Sequence, residues 1–342
     1  MNVLLTGGAG FLGSRLAAAL LARSQFRGQP VGRLVLADLR PPRSELAADP
    51  RVAGATGDLV ALIPALFARQ RWDAVFHLAA AVSAECEADF GLGLHANLDA
   101  TRALLDACRV QTEAGYPPPV FFFASSVAVF GSDPGLPLPE VVHDDTLPTP
   151  QSSYGTQKFI GELLVADYTR KGYVDGRVAR LMTVSVRPGR PNGAASGFLS
   201  SLVREPLAGQ PCNCPVPLDT RVALSSPANT IAGILTVAEA SREALGGRTA
   251  INLPALTVSV GEMIEALQAV AGPAATALIT YEPDRAIARI VAGWPARFES
   301  RRAANLGLRA DPDFHAVLRQ YIDDHPDAIR LAVRPRPAVP PA

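Results

Sequence analysis

Apolar runs of strand length alternate with stretches of helical periodicity through residues 1–186. Asn2–Thr6 is a short apolar run, with Val3, Leu4 and Leu5 in succession. That is the pattern of a parallel strand buried on both faces, where in-out alternation is lost. Residues 14–23 follow as helix. Arg33–Asp38 is a second apolar run and ends in an acid. A third strand ends at Gly57-Asp58-Leu59, and residues 61–70 read as helix. Residues 73–77 form a fourth strand and residues 87–109 a long helical stretch. Residues 120–124, with three consecutive Phe, are a fifth buried strand that ends at Ser125-Ser126. Residues 131–150 are rich in Pro and Asp and read as loop. Helix is expected over 151–170 and a sixth strand over 177–186.

Six strands alternating with helices predict an α/β fold: a doubly wound parallel Rossmann sheet with ligand at the carboxyl ends of its strands. After residue 186 the pattern changes. Residues 187–260 are broken by Pro and Gly into short apolar runs, and helices are expected at 262–270, 290–302 and 314–323. This reads as a smaller C-terminal substrate lobe, residues 187–330, with some chain crossing back to the nucleotide-binding domain at 1–186. The Pro-rich residues 331–342 are expected to be a disordered tail.

Composition narrows the function classes. A chain of 342 residues suits one large domain with an appended lobe, and 48% hydrophobic residues supply a sizeable core. The net charge is zero, so there is no electrostatic case for nucleic acid or an anionic membrane surface. Four cysteines are too few for a disulfide scaffold. Cys212 and Cys214 lack a second ligand pair nearby, so no metal site is expected. No apolar run reaches the ~18 residues of a membrane span. Met1 leads straight into a strand without a basic segment. The expectation is a cytoplasmic protein acting on a small molecule.

Candidate chemistry begins at Thr6-Gly7-Gly8-Ala9-Gly10-Phe11-Leu12-Gly13, between the first strand and the first helix. Gly7 permits a tight turn, Gly10 lets backbone N–H groups approach a pyrophosphate, and Gly13 lets helix and strand pack closely. Asp38, at the tip of the second strand, is placed to accept a hydrogen bond from a ribose 2′-OH and to repel a 2′-phosphate. That favours NAD over NADP, with Arg40 and Arg43 as the neighbours that would tolerate the phosphate. Asp58 and Leu59 are candidates to flank an adenine. The small residues after Leu78, Ala79 and Ala80 among them, would let a cofactor lie close to the chain. His77, at the buried end of an apolar strand, reads as a core histidine. Asn97, polar on an apolar helix, is either a packing residue or a holder of a water or backbone group.

Tyr154 and Lys158 are four residues apart, on one face of a helix. An ammonium near a phenol stabilises the phenolate and makes a usable base near neutral pH. An exposed Tyr beside a solvated Lys would give the same spacing. The chain, however, contains only two lysines, Lys158 and Lys171, and uses Arg elsewhere. Arg is no substitute for a compact, adjustable charge.

Together the Gly-rich run, Asp58-Leu59, His77-Leu78-Ala79-Ala80, Asn97, Ser125-Ser126-Val127-Ala128-Val129-Phe130-Gly131 and Tyr154-x-x-x-Lys158 resemble the extended short-chain dehydrogenase/reductase family. The resemblance runs from residue 1 to about 320 and is specific because the motifs occur jointly and in order. It implies that Ser126 orients the substrate hydroxyl, Tyr154 is the acid/base and Lys158 holds the nicotinamide ribose. Asn97 would anchor a proton-relay water, and Ser125 would touch cofactor. The implied cofactor positions are Gly7, Gly10, Phe11, Leu12, Gly13, Asp38, Asp58, Leu59, Leu78, Ala79, Ala80, Asn97, Ser125, Tyr154, Lys158 and Val184. The resemblance also implies a homodimer through helices at 87–109 and 151–170.

One departure bears on the substrate. Nucleotide-sugar members of the family carry an Asn three residues after the Arg of the sixth strand. Here that Arg is Arg180 and the Asn position is Thr183. The segment after it, Arg187-Pro188-Gly189-Arg190-Pro191-Asn192, offers guanidinium groups, which pair well with carboxylates. A structural ion pair is the alternative role for Arg187. Ser83, Ser126, Tyr154, Thr183, Arg187 and Arg221 are the substrate candidates, with Asn229 a further polar residue. The expected activity is NAD-dependent oxidation of a small polyhydroxy (sugar) acid. A nucleotide-sugar epimerase or dehydratase with the same machinery is the alternative, and a non-catalytic dinucleotide-binding sensor the third possibility.

Overall fold

A computed structural model describes residues 1–189 and 196–335. Arg190 and the end of the Pro-rich tail lie outside the described residues. The chain divides into two units. The first comprises Met1–Met182, Ala228–Pro254 and Glu299–Arg309.

The first unit is built on seven strands: β1 (Asn2–Thr6), β2 (Arg33–Asp38), β3 (Val52–Thr56), β4 (Ala74–His77), β5 (Val120–Ser126), β6 (Asp175–Leu181) and β7 (Ile251–Asn252). Their order is β7-β6-β5-β4-β1-β2-β3, and every neighbouring pair is parallel. The order reverses at β1, which lies between β2 and β4. In open parallel sheets the crevice at the carboxyl ends of such strands takes the ligand. Alternate residues of the same strands enter two cores. Val3, Leu5, Leu34, Phe76 and Phe122 belong to one, and Leu4, Val35, Val75, Phe121 and Phe123 to the other. Burial on both faces is why these strands read as unbroken apolar runs. Helices α1 (Phe11–Arg23), α2 (Leu59–Arg69), α3 (Ala100–Glu113) and α4 (Ser153–Arg170) connect the strands.

Several boundaries differ from the sequence reading. The strand expected over 177–186 ends at Leu181. Thr183–Val184 instead pairs with Arg221–Ser225, Thr183 opposite Leu224, in the second unit. The division therefore falls at Met182/Thr183 instead of 186/187, and the chain returns to the first unit twice. β7 went unread because it has two residues. The helix expected over 87–109 is interrupted. Ser83–Ala88 stops at Asp89, whose backbone is extended and whose side chain caps the Leu92 N–H of Phe90–Gly93. Leu94–Asp99 is a π-helical turn before α3.

The second unit comprises Thr183–Pro227, Ala255–Phe298 and the chain from Ala310 onward. Its three-stranded sheet places Arg221–Ser225 between Thr183–Val184 and Leu256–Ser259. Around its own core, which includes Leu199, Leu202, Val222, Leu224, Leu267 and Leu318, stand helices Gly197–Leu207, Val260–Ala271 and Phe314–Asp324. The helix expected over 290–302 is replaced. Asp284 caps the Ala286 and Ile287 N–H groups and starts Arg285–Ala292, which ends at Gly293. Pro295 then has no N–H to continue a helix, and the next helix is Arg301–Asn305. Residues 331–335, expected within the disordered tail, run along this unit. The Leu331 N–H donates to Leu207 O at 3.2 Å and the Arg334 N–H to Val270 O at 2.8 Å. Among the described residues no helix is long and apolar enough to cross a membrane.

Candidate active site

At the end of β1 the chain turns sharply. Gly7 has φ +73°, and a Cβ there would stand 2.7 Å from Ala79 N. A Cβ on Gly13 would stand 2.0 Å from Gly7 O. Neither position admits a side chain without opening the turn, so the glycines make the close strand-to-helix approach possible. Helix α1 opens after Gly10, which offers no side-chain cap. Its first backbone N–H groups and positive dipole end suit a pyrophosphate.

Asp38 closes one side of this turn. Its Oδ2 accepts from the Ala9 N–H at 3.0 Å and its Oδ1 from the Arg40 N–H at 3.1 Å. Two backbone donors thus fix the carboxylate, each leaving oxygen lone pairs for a further donor such as a ribose hydroxyl. Asp58 is placed differently. It caps α2 through the Ala61 N–H at 3.1 Å, and its Oδ2 meets His95 Nε2 at 2.8 Å. The His95 hydrogen bond, foremost, holds Asp58 below the usual carboxylate range. Leu59 begins α2 directly after it, and Phe11 and Leu12 begin α1.

His77 is a core histidine, as its position in an apolar strand suggested. Thr101 Oγ1 gives its proton to Asn97 O at 2.6 Å and so accepts from His77 Nε2 at 2.9 Å. Nδ1 is then the acceptor for Thr6 Oγ1 at 2.7 Å. Burial, and secondarily the Lys158 charge, pulls His77 down to about 3, so the ring is neutral.

Asn97 is buried, and a backbone group is what it holds. Its Oδ1 accepts from the Ala81 N–H at 2.8 Å. Its Nδ2 reaches Gln157 Oε1 at 2.7 Å, Ala81 O at 3.2 Å and Cys86 Sγ at 3.2 Å. The side-chain amide is thereby engaged in joining the π-helical turn to α4 and to the chain after β4. Oδ1 keeps a second lone pair beyond its bond to Ala81, so a relay water on Asn97 stands as an expectation.

Helix α4 presents the central pair. Ser152 caps it by accepting the Gly155 N–H at 3.1 Å, and Glu87 accepts the Ser153 N–H at 2.7 Å. Four residues on from Tyr154, Lys158 is 2% exposed. Its Nζ donates to Ala124 O at 2.9 Å and lies 4.8 Å from the Phe123 ring centroid and 5.7 Å from that of Tyr154. Burial pulls the ammonium down to about 8. Ser126 ends β5 and accepts the Ala128 N–H on its Oγ at 3.1 Å. That bond uses a lone pair and leaves the hydroxyl proton to donate. Ser125 points to the other side, donating to Glu162 Oε1 at 2.5 Å. Lys158 and Ser126 are therefore brought to one end of β5, with Tyr154 beside the lysine.

The first unit holds all of these residues and Ser83, which opens Ser83–Ala88. Thr183, Val184, Arg187 and Arg221 belong to the second. There Arg187 Nε donates to Val184 O at 3.1 Å, its N–H to Ser200 Oγ at 3.0 Å, and Arg204 Nη1 to Arg187 O at 2.8 Å. Thr183 and Val184 form the edge strand, and Arg221 starts the middle one. Asn229 Nδ2 donates to Arg309 O at 2.9 Å, both residues belonging to the first unit. His95, Glu162 and Gln157 were not singled out from sequence. Glu162 alone left a signal, an acid one helical turn beyond Lys158, but its partners come from distant strands.

Among the described residues no cluster of three or more His, Cys, Asp or Glu side chains is placed to hold a metal. Burial pushes the Cys212 and Cys214 thiols up, Cys212 to about 12, opposite to what a thiolate ligand needs.

The sequence pattern of the NAD dependent epimerase/dehydratase family matches residues 3–252. The chain belongs to that family. The match spans β1 to β7 and every candidate site residue named above in either unit. Within the family, the D-erythronate dehydrogenase of Cupriavidus necator is 51% identical, over 95% of this chain and 98% of its own. That of Haemophilus influenzae is 42% identical, over 94% of this chain and 99% of its own. Among solved structures, the nucleoside-diphosphate-sugar epimerase from Agrobacterium tumefaciens superposes with a TM-score of 0.89 at 40% identity, covering 96% of this chain and 95% of that one.

Proposed function

We propose that this chain is an NAD-dependent dehydrogenase of a small polyhydroxy acid, converting D-erythronate to 2-dehydro-D-erythronate. The observation that carries the reading is the near full-length similarity to the Cupriavidus necator enzyme at 51% identity, and the site geometry supplies chemistry consistent with it. The residues fit the cofactor. A Gly7–Gly13 cradle that any Cβ would fill leads to the uncapped start of α1, and Asp38 offers oxygens at the strand tip. Bound NAD supplies the hydride acceptor.

The protein's own residues handle the proton. Ser126, with one lone pair held by the Ala128 N–H, donates to the substrate oxygen and orients it. Tyr154, as phenolate, takes the hydroxyl proton as the C–H bond gives up its hydride and a carbonyl forms. Lys158, fixed on Ala124 O, favours the phenolate by its charge. In this reading Arg187 pairs with the substrate carboxylate, and its backbone is already held by Ser200 and Arg204.

The reading extends to assembly and location. Phe90, Leu92 and Leu163 are exposed apolar residues on the helices expected to bundle with a second copy, which supports a homodimer. A location in the cytoplasm accords with a small-molecule NAD enzyme.

One observation favours a second reading, nucleotide-sugar epimerisation: the similarity to the Agrobacterium tumefaciens structure at 40% identity. Thr183, where nucleotide-sugar members carry Asn, weighs against it. A panel of four- to six-carbon sugar acids with NAD and NADP separates the two. Net NADH formation from an aldonate supports the dehydrogenase, and redox-neutral turnover of a nucleotide sugar supports the epimerase.

A further inference from the structure

A polar row crosses the carboxyl-end region of the first unit's sheet. Ser125 on β5 is in register with Arg180 on β6, and Arg180 with Asn252 on β7. All three are buried, at 2%, 5% and 0% exposure. Glu162 of α4, 4% exposed, meets this row. Its Oε1 accepts from Ser125 Oγ at 2.5 Å and Arg180 Nε at 2.9 Å, and its Oε2 from Arg180 Nη2 at 2.7 Å. Arg180 also reaches Asn252 Oδ1 at 3.3 Å and lies over the Phe130 ring at 4.8 Å. Asn252 Nδ2 continues to His143 O at 3.2 Å.

Burying an ion pair is an inefficient way to stabilise a fold, since well-packed apolar side chains often do as well. Some buried pairs instead fix one arrangement of the groups they join. Here those groups are the reacting ones. Three successive residues of β5 are tied to α4 or to the reacting end: Ala124 O holds Lys158, Ser125 holds Glu162, and Ser126 presents its hydroxyl. Glu162 lies one helical turn beyond Lys158, on the same face.

We propose that Glu162 and Arg180 are positioning residues, whose buried pair locks the β5 end carrying Ser126 against the helix face carrying Tyr154 and Lys158. The proposal rests on the reading of Tyr154 as the base. It also assigns the pair a charge role. The titratable groups around Lys158 are Tyr154 and Glu162 on α4, His77 on β4 and Cys86 on Ser83–Ala88, with Arg180 behind Glu162. Of these, Glu162 is the carboxylate that favours the Lys158 ammonium, and Arg180 balances it.

The test compares Glu162→Gln with the double variant Glu162→Leu/Arg180→Met. Glu162→Gln leaves Arg180 uncompensated, so Lys158 and Tyr154 should both lose protons more easily. The kcat–pH profile should shift to lower pH by roughly half a unit or more, and kcat should fall roughly 10-fold or more. NAD binding, followed by fluorescence titration, should change little. The double variant removes both charges, an exchange for apolar side chains that is often neutral for the fold; far-UV circular dichroism confirms that it is folded. Its profile should return toward wild type while kcat stays low, because the lock is still absent. Normal kcat in the double variant overturns the proposal, as does Glu162→Gln with wild-type kcat and an unmoved profile. If Glu162→Gln does not fold, the double variant decides alone: low kcat with retained NAD binding supports the lock. Tyr154→Phe is measured alongside. Its loss of activity with a normal Glu162→Gln rejects only the positioning role, whereas near-normal Tyr154→Phe rejects the base and the positioning role with it.

Discussion

Replacing Lys158 with Met should cut kcat sharply without weakening the fold. The ammonium is 2% exposed, and burial pulls it from 10.5 to about 8. At about 1.36 kcal/mol per pH unit, the charged form is disfavoured in the fold by about 3 kcal/mol at neutral pH. Met fills similar space without the charge. Against that gain stands the lost bond to Ala124 O, worth about 1.5–3 kcal/mol for a charged donor. The net change at pH 7 should fall between roughly zero and 1.5 kcal/mol in favour of the variant. The pH dependence is the sharper signature. Because the folded value lies below the unfolded one, the unfolded wild type binds more protons between about 8 and 10.5. Wild-type stability should therefore rise with pH across that window, by up to about 3 kcal/mol, relative to Lys158→Met. Below pH 8 the difference should be flat. Urea unfolding of both proteins without cofactor, at pH 7 and pH 10, measures it by circular dichroism. The variant's kcat should fall by roughly 10² or more. A stability gap independent of pH would show that Lys158 is not a buried, strained charge. So would a variant several kcal/mol less stable at pH 7.

Tyr154→Phe should lose roughly 10² or more in kcat while keeping NAD binding, as typical for removal of a general base; near-normal turnover would exclude Tyr154 from that role. Asp38→Ala should weaken NAD binding and narrow the gap to NADP, since it removes the acceptor at the strand tip; a wild type that already prefers NADP in initial-rate assays would refute this. Arg187→Ala should cut kcat/KM for the acid by roughly 10- to 100-fold, since a charge-assisted bond is worth ~1.5–3 kcal/mol. A neutral lactone analogue should suffer much less, and Arg187→Lys should recover only part of the loss. Equal loss with both compounds would make Arg187 a support of the fold or cofactor and leave Arg190 or Arg221 as the next candidates.

Residues whose role depends on local backbone pattern were legible in the sequence. β1 and β2 have the expected bounds because both faces are buried and each apolar run is bracketed by polar residues, Asn2 and Thr6 in one and Arg33 and Asp38 in the other. The Gly7–Gly13 turn follows from strand, glycines and helix standing in immediate succession. Ser126 and Lys158 also stand as expected, at a strand end and on a capped helix. What failed depends on long-range partners or on short elements. Nothing in the run 87–109 announces that Asp89 restarts the helix or that a π-helical turn follows. That turn directs Asn97 to Ala81 and Gln157, and it places His95 beside Asp58. The end of the sixth strand was misread because Met182 to Val186 remains apolar-rich while its pairing changes from one sheet to another. Glu162 and Arg180 are 18 residues apart, and their pairing with Ser125 exists only once β5, β6 and α4 are assembled.

The most direct measurement is NADH absorbance on mixing the purified chain with D-erythronate and NAD. The account predicts steady NADH formation with a 2-dehydro acid as product, and a much lower rate with NADP. Absence of NADH with D-erythronate and with every other four- to six-carbon sugar acid, alongside redox-neutral turnover of a nucleotide sugar, would contradict it.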